Sequence, residues 1–209
     1  MEIRVVDFIQ WIMILLAFVV AIVKRKNFGP PRLYFEWYML FVIGIQICSE
    51  LLYAYGSGEY GNSIIYNVYD VVTYLFFLRW FYHILPYKIL VLISTVVYGM
   101  AFVISLFVED YIIDFSRINT YTGTLVILIL TNAYYVSLLK REEIVSFTRL
   151  PSFWIASGLL IFNIGYLPLT LLILSKSTFV LFDLSIVTTL LTVVLYGCFI
   201  KAFLCPKEM

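Results

Sequence analysis

Seven long apolar stretches, separated by short polar breaks, run along the chain. They cover approximately 5–23, 33–54, 64–84, 89–107, 122–139, 152–174 and 181–204. A helix needs roughly 20 apolar residues to cross the hydrocarbon core of a bilayer, and each stretch approaches that length. None shows the sustained alternation of polar and apolar residues that is typical of barrel strands. The pattern therefore predicts an all-α protein with seven transmembrane helices.

Glycine and proline mark the breaks between these stretches. "KRKNFGPPR" contains Gly29-Pro30-Pro31, "GSGEYGNS" is rich in glycine, and "LPYK" contains Pro86. Proline cannot continue a helix without losing a hydrogen bond, and glycine weakens one. Since the connections between stretches are short, residues 1–209 are predicted to form a single seven-helix transmembrane domain. The opening "MEIRVVDFIQ" lacks the flanks of a cleaved signal peptide, so the first stretch is predicted to be retained.

Composition supports this class. Of the 209 residues, 63% are hydrophobic and 13% are charged, whereas soluble domains are about half apolar and about a quarter charged. The apolar surplus has to face lipid. A net charge of +1 gives no electrostatic reason to expect nucleic-acid binding. Cys48, Cys198 and Cys205 form no CxxC pair, and we interpret them as packing residues.

The distribution of lysine and arginine predicts the orientation. One side of the membrane would carry Lys24, Arg25, Lys26, Arg32, Arg79, Lys88, Lys140, Arg141, Arg149, Lys201 and Lys207. The other side would carry Arg4, Arg117 and Lys176. Basic residues concentrate on the cytoplasmic side of membrane proteins. The N-terminus is therefore predicted to lie outside and the C-terminus inside.

The third stretch, "YNVYDVVTYLFFLRWFYHIL", carries unusual polar groups near its inner end. Arg79 and His83 are four residues apart and so share a helix face. Glu36 begins the second stretch on the same side of the membrane. We predict a structural ion pair of Glu36 with Arg79, beside His83. Asp70 lies nine residues before Arg79 and is therefore expected to point away from it.

Acidic and amide side chains gather in the outer halves of four stretches. The predicted ligand-binding residues among them are Glu50, Asp70, Asn67, Gln46, Asp183, Asp7 and Tyr74. If their faces converge, they form an acidic pocket open to the outside, with Glu50 and Asp70 facing the bundle interior. Such a pocket would bind a cation or a hydroxyl-rich ligand, or pass protons. The alternative is that these side chains are solvated at the headgroup level.

Two further helices carry polar groups or breakers within a span. Pro168 interrupts the sixth stretch after Asn163, and Asn132 and Tyr134 lie midway along the fifth. Such residues either line a cavity or form hydrogen bonds between helices.

Motifs for several established chemistries are missing from the sequence. It contains no P-loop and no G-x-S-x-G, and His83 is its one histidine. No two-histidine zinc motif can therefore form. Lys201 lies near the inner end of the last stretch, where it resembles an anchor more than a retinal-binding lysine. We predict no catalytic residues and no cofactor, and leave a bound metal open.

Two stretches resemble a known group of membrane proteins. They are "LPSFWIASGLLIFNIGYLPL", residues 150–169, and the closing "VLYGCFIKAFLCP". The shared pattern places Pro-x-Phe-Trp at the start of the sixth helix, a small residue and glycine within it, and a basic tail after the seventh. The residues are Pro151, Phe153, Trp154, Ser157, Gly158 and Lys201. The pattern is similar to that of short seven-helix inner-membrane proteins of Bacteroidetes bacteria.

This resemblance implies a multi-pass protein of the bacterial inner membrane. Similar helical modules are fused to sensor histidine kinases or are expected to work beside them, which implies a sensing role. Because this sequence contains neither a soluble sensor domain nor a kinase, we expect any signal to pass to a separate partner. That partner would be a histidine kinase or another membrane subunit.

Three functional hypotheses follow from these observations. In the first, the protein is a membrane sensor or accessory subunit whose acidic pocket binds a cation or small ligand. In the second, it is a small enzyme acting on lipid, similar to lysoplasmalogenases, with Glu50 and Asp70 as acid and base. In the third, it is a cation or proton transporter or channel with the same acids at its entrance. The first hypothesis best accommodates the lack of a catalytic motif.

Overall fold

The computed structural model describes residues 5–24, 34–55, 62–140, 147–174 and 184–205. These residues form seven α-helices and one 3₁₀ turn, Phe147–Arg149. The helices are α1 (Val5–Val23), α2 (Phe35–Tyr55), α3 (Ser63–Ile84), α4 (Lys88–Val108), α5 (Arg117–Leu139), α6 (Pro151–Leu174) and α7 (Leu184–Leu204). No strand occurs in these ranges. The predicted all-helical class is confirmed.

Within the described ranges, five helices are long and apolar enough to cross a membrane. Their qualifying segments are Phe35–Leu52, Lys88–Val108, Arg117–Leu139, Pro151–Leu171 and Ser185–Leu204. The protein is therefore a multi-pass membrane protein. In α1 the apolar segment Phe8–Val23 is shorter. The polar residues of α3 set it apart from the five, and the count of seven spans stays a prediction.

α5 begins at Arg117, five residues before the predicted start at 122. The apolar run does begin near 122, but hydrogen bonds allow the polar first turn to be helical. Ser116 is the N-cap, and its Oγ accepts from the Asn119 backbone N–H at 3.4 Å. A cap side chain of this kind satisfies one of the free N–H groups at a helix start. The boundary predicted from hydrophobicity alone was wrong.

The turn between α3 and α4 is short and follows from a single proline. Leu85 ends α3 in an extended conformation, as expected of a residue that precedes proline. Pro86 and Tyr87 complete the turn, and α4 begins at Lys88. So short a connection makes α3 and α4 antiparallel neighbours.

The helices fall into two compact units. The first comprises residues 1–36 and 141–209, and so contains α1, α6 and α7. Here α1 is joined to α7 by the Gln10 Nε2 amide, which donates to Thr189 Oγ1 at 2.7 Å. Gly158 brings α6 close to α7, because a Cβ at this position would lie 2.9 Å from Cys198 Cβ. α6 continues through Pro168 as one helix.

An aromatic cluster closes one end of the first unit. The Phe35 ring packs edge-on against Phe199 and Phe203, with 5.7 Å between ring centroids in both pairs. All three rings are fully buried. Nearby on α6, the Trp154 indole donates to the Thr148 carbonyl at 2.8 Å. The Lys201 ammonium lies 5.9 Å from the Trp154 ring centroid, an arrangement suited to a membrane–water boundary.

The second unit comprises residues 37–140 and contains the rest of α2 together with α3, α4 and α5. α3, α4 and α5 pack against one another. α2 contacts α3 through Tyr38, whose ring stacks on Phe76 with centroids 4.4 Å apart. Its hydroxyl donates to Thr73 Oγ1 at 3.5 Å. Cys48, Cys198 and Cys205 are not joined in disulfides, and Cys48 is exposed on α2. That residues 1–209 form a single domain stays a prediction.

α3 packs tightly against α5 at Gly123. A Cβ built at this position would overlap the Tyr74 ring. A Cβ at Gly99 on α4, by contrast, would meet no atom within 4 Å. The two glycines belong to the same unit and differ chiefly in this clearance, which makes them a matched pair.

We expect Gly123→Ala to destabilise the protein and Gly99→Ala to be neutral or stabilising. At position 123 the added methyl forces Tyr74 to move, at a cost of about 1–3 kcal/mol. At position 99 alanine improves helix propensity by up to about 1 kcal/mol. Thermal unfolding in detergent, followed by intrinsic fluorescence, measures both effects. Equal melting temperatures for the two variants would contradict the close packing of α3 on α5.

Candidate functional site

One face of α3 is polar and buried. Asn67, Asp70 and Tyr74 lie at spacings of three and four residues, and all three side chains are buried. This is the shared face that the sequence predicts, and it is turned toward α5 and the α4–α5 connection. Asp70 is buried whereas Arg79 is exposed, in agreement with their predicted opposite directions.

Asn67 holds the α4–α5 connection against α3. Its Nδ2 amide donates to the carbonyls of Tyr111 at 3.0 Å and Asp114 at 2.9 Å. Its Oδ1 accepts from the Ser116 backbone N–H at 2.9 Å. With both amide hydrogens and the oxygen engaged, this fully buried side chain has a structural role.

Glu109 connects the end of α4 with the start of α5. One carboxylate oxygen accepts from Ser116 Oγ at 2.6 Å. The other accepts from the N–H groups of Arg117 at 3.0 Å and Ile118 at 3.2 Å. A carboxylate at a helix N-terminus satisfies free donors and interacts favourably with the helix dipole. The connection is thus held from two directions, by α3 and by α4.

Deeper along the same interface, threonines of α5 meet the α3 face. Thr120 Oγ1 donates to Asp70 Oδ2 at 2.5 Å. The Tyr74 hydroxyl donates to the Thr120 carbonyl at 3.2 Å and lies 3.0 Å from Thr124 Oγ1. Ser116, Thr120 and Thr124 are four residues apart, so one stripe of α5 supplies these contacts. The α3–α5 interface is therefore a continuous series of hydrogen bonds.

Two buried side chains beside Asp70 make no hydrogen bond of standard geometry within the described residues. They are Tyr98 on α4 and Asn119 on α5, and neither is more than 1% exposed. The Tyr98 hydroxyl and both amide atoms of Asn119 make no hydrogen bond of standard geometry in this part of the chain. Asn119 nevertheless lies next to the Tyr98 hydroxyl, and Asp70 is an electrostatic neighbour of that hydroxyl. We call Asp70, Tyr98, Asn119 and Thr120 the polar cluster.

The polar cluster offers a defined set of hydrogen-bonding groups. Asp70 supplies a carboxyl group, Tyr98 a hydroxyl, and Asn119 both an acceptor and a donor. These groups suit a small molecule that carries a hydroxyl or an ammonium group. Metal coordination is a poorer match, because the described residues contain no group of three or more His, Cys, Asp or Glu side chains arranged to hold an ion.

Among the described residues, the predicted ligand-binding residues Glu50 and Gln46 of α2 make no hydrogen bond to this cluster. Glu50 is exposed on α2, so the prediction that it faces the bundle interior is wrong. The preceding residue, Ser49, is buried instead. Its Oγ donates a hydrogen bond to the Tyr66 hydroxyl at 3.1 Å. Gln46 is half-buried on the same helix. Asp183 and the side chain of Asp7 lie outside the described residues, and both belong to the first unit.

The predicted structural ion pair is divided between the two units. Glu36 is buried and belongs to the first unit, whereas Arg79 and His83 belong to the second. Arg79 and His83 are both exposed on α3, which is consistent with their lying on the same face of the helix. The pairing of Glu36 with Arg79 stays a prediction.

Sequence reasoning missed the other members of the polar cluster around Asp70. Tyr98 lies in a largely apolar helix, and Asn119 and Thr120 precede the predicted start of the fifth helix. A usable signal was present, since Ser116, Thr120 and Thr124 recur every four residues. Extending the helix backward to Ser116 would have placed these side chains on one face.

No protein-family model matches the chain, and neither a curated protein nor a solved structure matches it. The resemblance to the Bacteroidetes proteins therefore stays a prediction. The assignment of the site depends on its geometry alone.

We expect Tyr98→Phe and Tyr74→Phe to change stability in different ways. The Tyr74 hydroxyl is hydrogen-bonded, so its removal should destabilise the purified protein by about 1 kcal/mol. The Tyr98 hydroxyl is buried without a partner, so its removal should leave the melting temperature unchanged or raise it. Thermal unfolding of both variants in detergent makes the comparison. A loss with Tyr98→Phe as large as with Tyr74→Phe would mean that the Tyr98 hydroxyl is already satisfied.

Proposed function

We propose that the protein is a sensor or accessory subunit of the bacterial inner membrane, with seven transmembrane helices, an outer N-terminus and an inner C-terminus. In this proposal the polar cluster binds a small ligand from the outer side. The protein then passes the change to a separate partner. The observation that supports it most is the pair of buried polar side chains, Tyr98 and Asn119, which lie beside the Asp70 carboxyl and make no hydrogen bond of standard geometry.

The energetic cost of these groups supports binding. A buried polar group without a partner costs about 1–3 kcal/mol, and a hydrocarbon environment offers nothing to satisfy it. The Asn119 amide alone presents an unmet acceptor and an unmet donor. A ligand that meets these groups regains their hydrogen bonds, so its binding is favoured over the empty state.

The charges of the second unit are consistent with the proposed orientation. The α4–α5 connection carries Glu109, Asp110 and Asp114, and the polar cluster lies toward this end of the helices. Lys88 begins α4 and Lys140 follows α5 at the opposite end. Arg117 is the one basic residue at the cluster end of the described α4 and α5. If the end with Lys88 and Lys140 faces inward, the cluster would lie in the outer half of the membrane.

The chemistry of the cluster favours an ammonium- or hydroxyl-bearing ligand. One carboxyl group can neutralise a single positive charge, and the amide and phenol can orient it. A divalent ion usually needs more oxygen ligands than this site provides. We therefore favour a small organic cation or polyol over a metal ion.

Helix α5 provides a route from the cluster to the inner side. It carries Asn119 and Thr120 near one end and is followed by Lys140 at the other. Shifts of about 1–2 Å between packed helices are a common form of signalling movement. A ligand that contacts α4 and α5 together would change their packing. A histidine kinase or another membrane subunit would read this change on the inner side.

The lipid-enzyme hypothesis loses its main support. It required Glu50 and Asp70 to act together as acid and base. With Glu50 exposed and Asp70 buried, the two carboxyl groups occupy different environments on α2 and α3.

Native mass spectrometry of protein purified from its own membranes should detect a bound small molecule. We expect Asp70→Asn and Asn119→Leu to lower its occupancy at least tenfold, because each removes a group that contacts it. Glu50→Gln is the matched control, since it removes a carboxylate that lies outside the cluster. Wild-type protein carrying water alone would contradict the proposal, as would equal loss in the control.

Crosslinking in native membranes, followed by affinity purification and mass spectrometry, tests the accessory role. We expect a second membrane protein in roughly stoichiometric amount, because the proposed signal has to leave this chain. An unrelated multi-pass protein with the same tag is the control. Recovery of this chain without any such subunit would refute the accessory role.

A further inference from the structure

The exposed face of α5 carries a regular pattern. Leu125, Ile129, Asn132, Val136 and Leu139 are spaced by four, three, four and three residues. All five side chains are exposed, and Leu139 is 76% exposed. An average spacing of 3.5 residues is the repeat with which helices pack along a common seam. We call these five residues the α5 seam.

Asn132 is the polar residue in the middle of this seam. It is fifteen residues from the start of α5, or about 22 Å along the helix. Its Nδ2 donates to the Leu128 carbonyl of the same helix at 2.8 Å. One N–H and the amide oxygen remain available on a surface that lipid would cover. Hydrocarbon cannot satisfy them, so this position favours a protein partner.

Comparison with α4 shows that the seam differs from ordinary lipid-facing surface. Every exposed residue between Ile89 and Val108 on α4 is apolar, including Met100 and Val103. Lipid alone is a suitable neighbour for this apolar surface of α4. α5 places an amide at the corresponding depth of its exposed face, and it does so within a regular repeat.

We propose that the α5 seam joins two copies of this chain in a parallel homodimer. The pattern places Ile129 and Val136 at one type of seam position and Leu125 and Leu139 at the other. β-branched residues at the first type with leucine at the second favour two parallel strands. Two copies inserted with the same topology have parallel α5 helices around a twofold axis along the membrane normal.

The chemistry of Asn132 selects a second copy as the occupant. An amide is its own complement, because the oxygen of one can accept from the N–H of the other. A twofold axis through the seam brings Asn132 of both copies together. Asn132 shares the position type of Leu125 and Leu139, and pairing of the two amides at this one level then sets the register of the two helices. The polar cluster lies on the buried side of α5, so ligand binding and pairing use different faces.

This proposal rests on the membrane embedding but not on a ligand or a partner. Its test can therefore fail while the sensor function holds, and the reverse is also true. Asp70→Asn should lower ligand occupancy without affecting dimer formation. Changes in the seam should affect dimer formation in protein that carries no ligand.

Cysteine crosslinking in native membranes tests the seam directly. In a Cys48→Ala background, which removes the exposed native thiol, Ile129→Cys should form a disulfide-linked dimer on mild oxidation. Val103→Cys, similarly exposed on α4, is the matched control and should stay monomeric. Equal dimer formation by both variants, or crosslinking of Ile129→Cys to a different protein, would overturn the proposal.

Energy transfer between labelled copies diluted in lipid vesicles measures the affinity. Asn132→Leu removes the amide pair and should weaken dimerisation about three- to twentyfold, the range expected for hydrogen bonds between membrane helices. Met100→Leu on α4 should leave it unchanged. Both sites are exposed, so thermal unfolding should confirm that the variants are folded. Unchanged affinity in Asn132→Leu, or monomer at every dilution, would refute the homodimer.

Discussion

Every polar group that enters the hydrocarbon must find its hydrogen-bond partner within the protein, and this requirement organises the second unit. Lipid supplies neither donors nor acceptors, and the buried polar face of α3 likewise needs a neighbour that matches it. α5 provides that match through Thr120 and Thr124. The order of helices in this unit therefore depends on complementary hydrogen bonds as much as on apolar packing.

The same requirement separates structural polar residues from candidates for function. Asn67 is as deeply buried as Asn119, yet its three hydrogen bonds account for it completely. Asn119 and Tyr98 lie one step further along the interface and are left unmatched. A sequence-based argument treats these amides alike, because both are polar residues near the end of a helix. Only their surroundings show which one is satisfied by the fold itself.

Much of the fold followed from hydrophobicity. The length of the apolar runs predicted the ends of α3 and α6 to within one residue, because the apolar run and the helix extend over the same residues. α5 was placed less well, because its first turn is polar and depends on Ser116 and on Glu109, which lies seven residues before Ser116. For the site, spacing identified the face with Asn67, Asp70 and Tyr74. It failed for Glu50, because helix spacing shows which residues share a face but not which face meets the core.

The contact of Gly123 with the Tyr74 ring has a mechanical consequence. Because Gly123 has no side chain of its own, the Tyr74 ring of α3 packs directly on the α5 backbone, and a tilt of α5 against α3 would pivot about this contact. Asn119 lies about 6 Å from it along the helix axis, and Asn132 lies about 13 Å away on the other side. A tilt that displaces the α5 backbone at Asn119 by a given distance displaces the α5 backbone at Asn132 roughly twice as far, in the opposite direction. Gly123 thus divides α5 into two unequal arms, and the longer one carries Asn132.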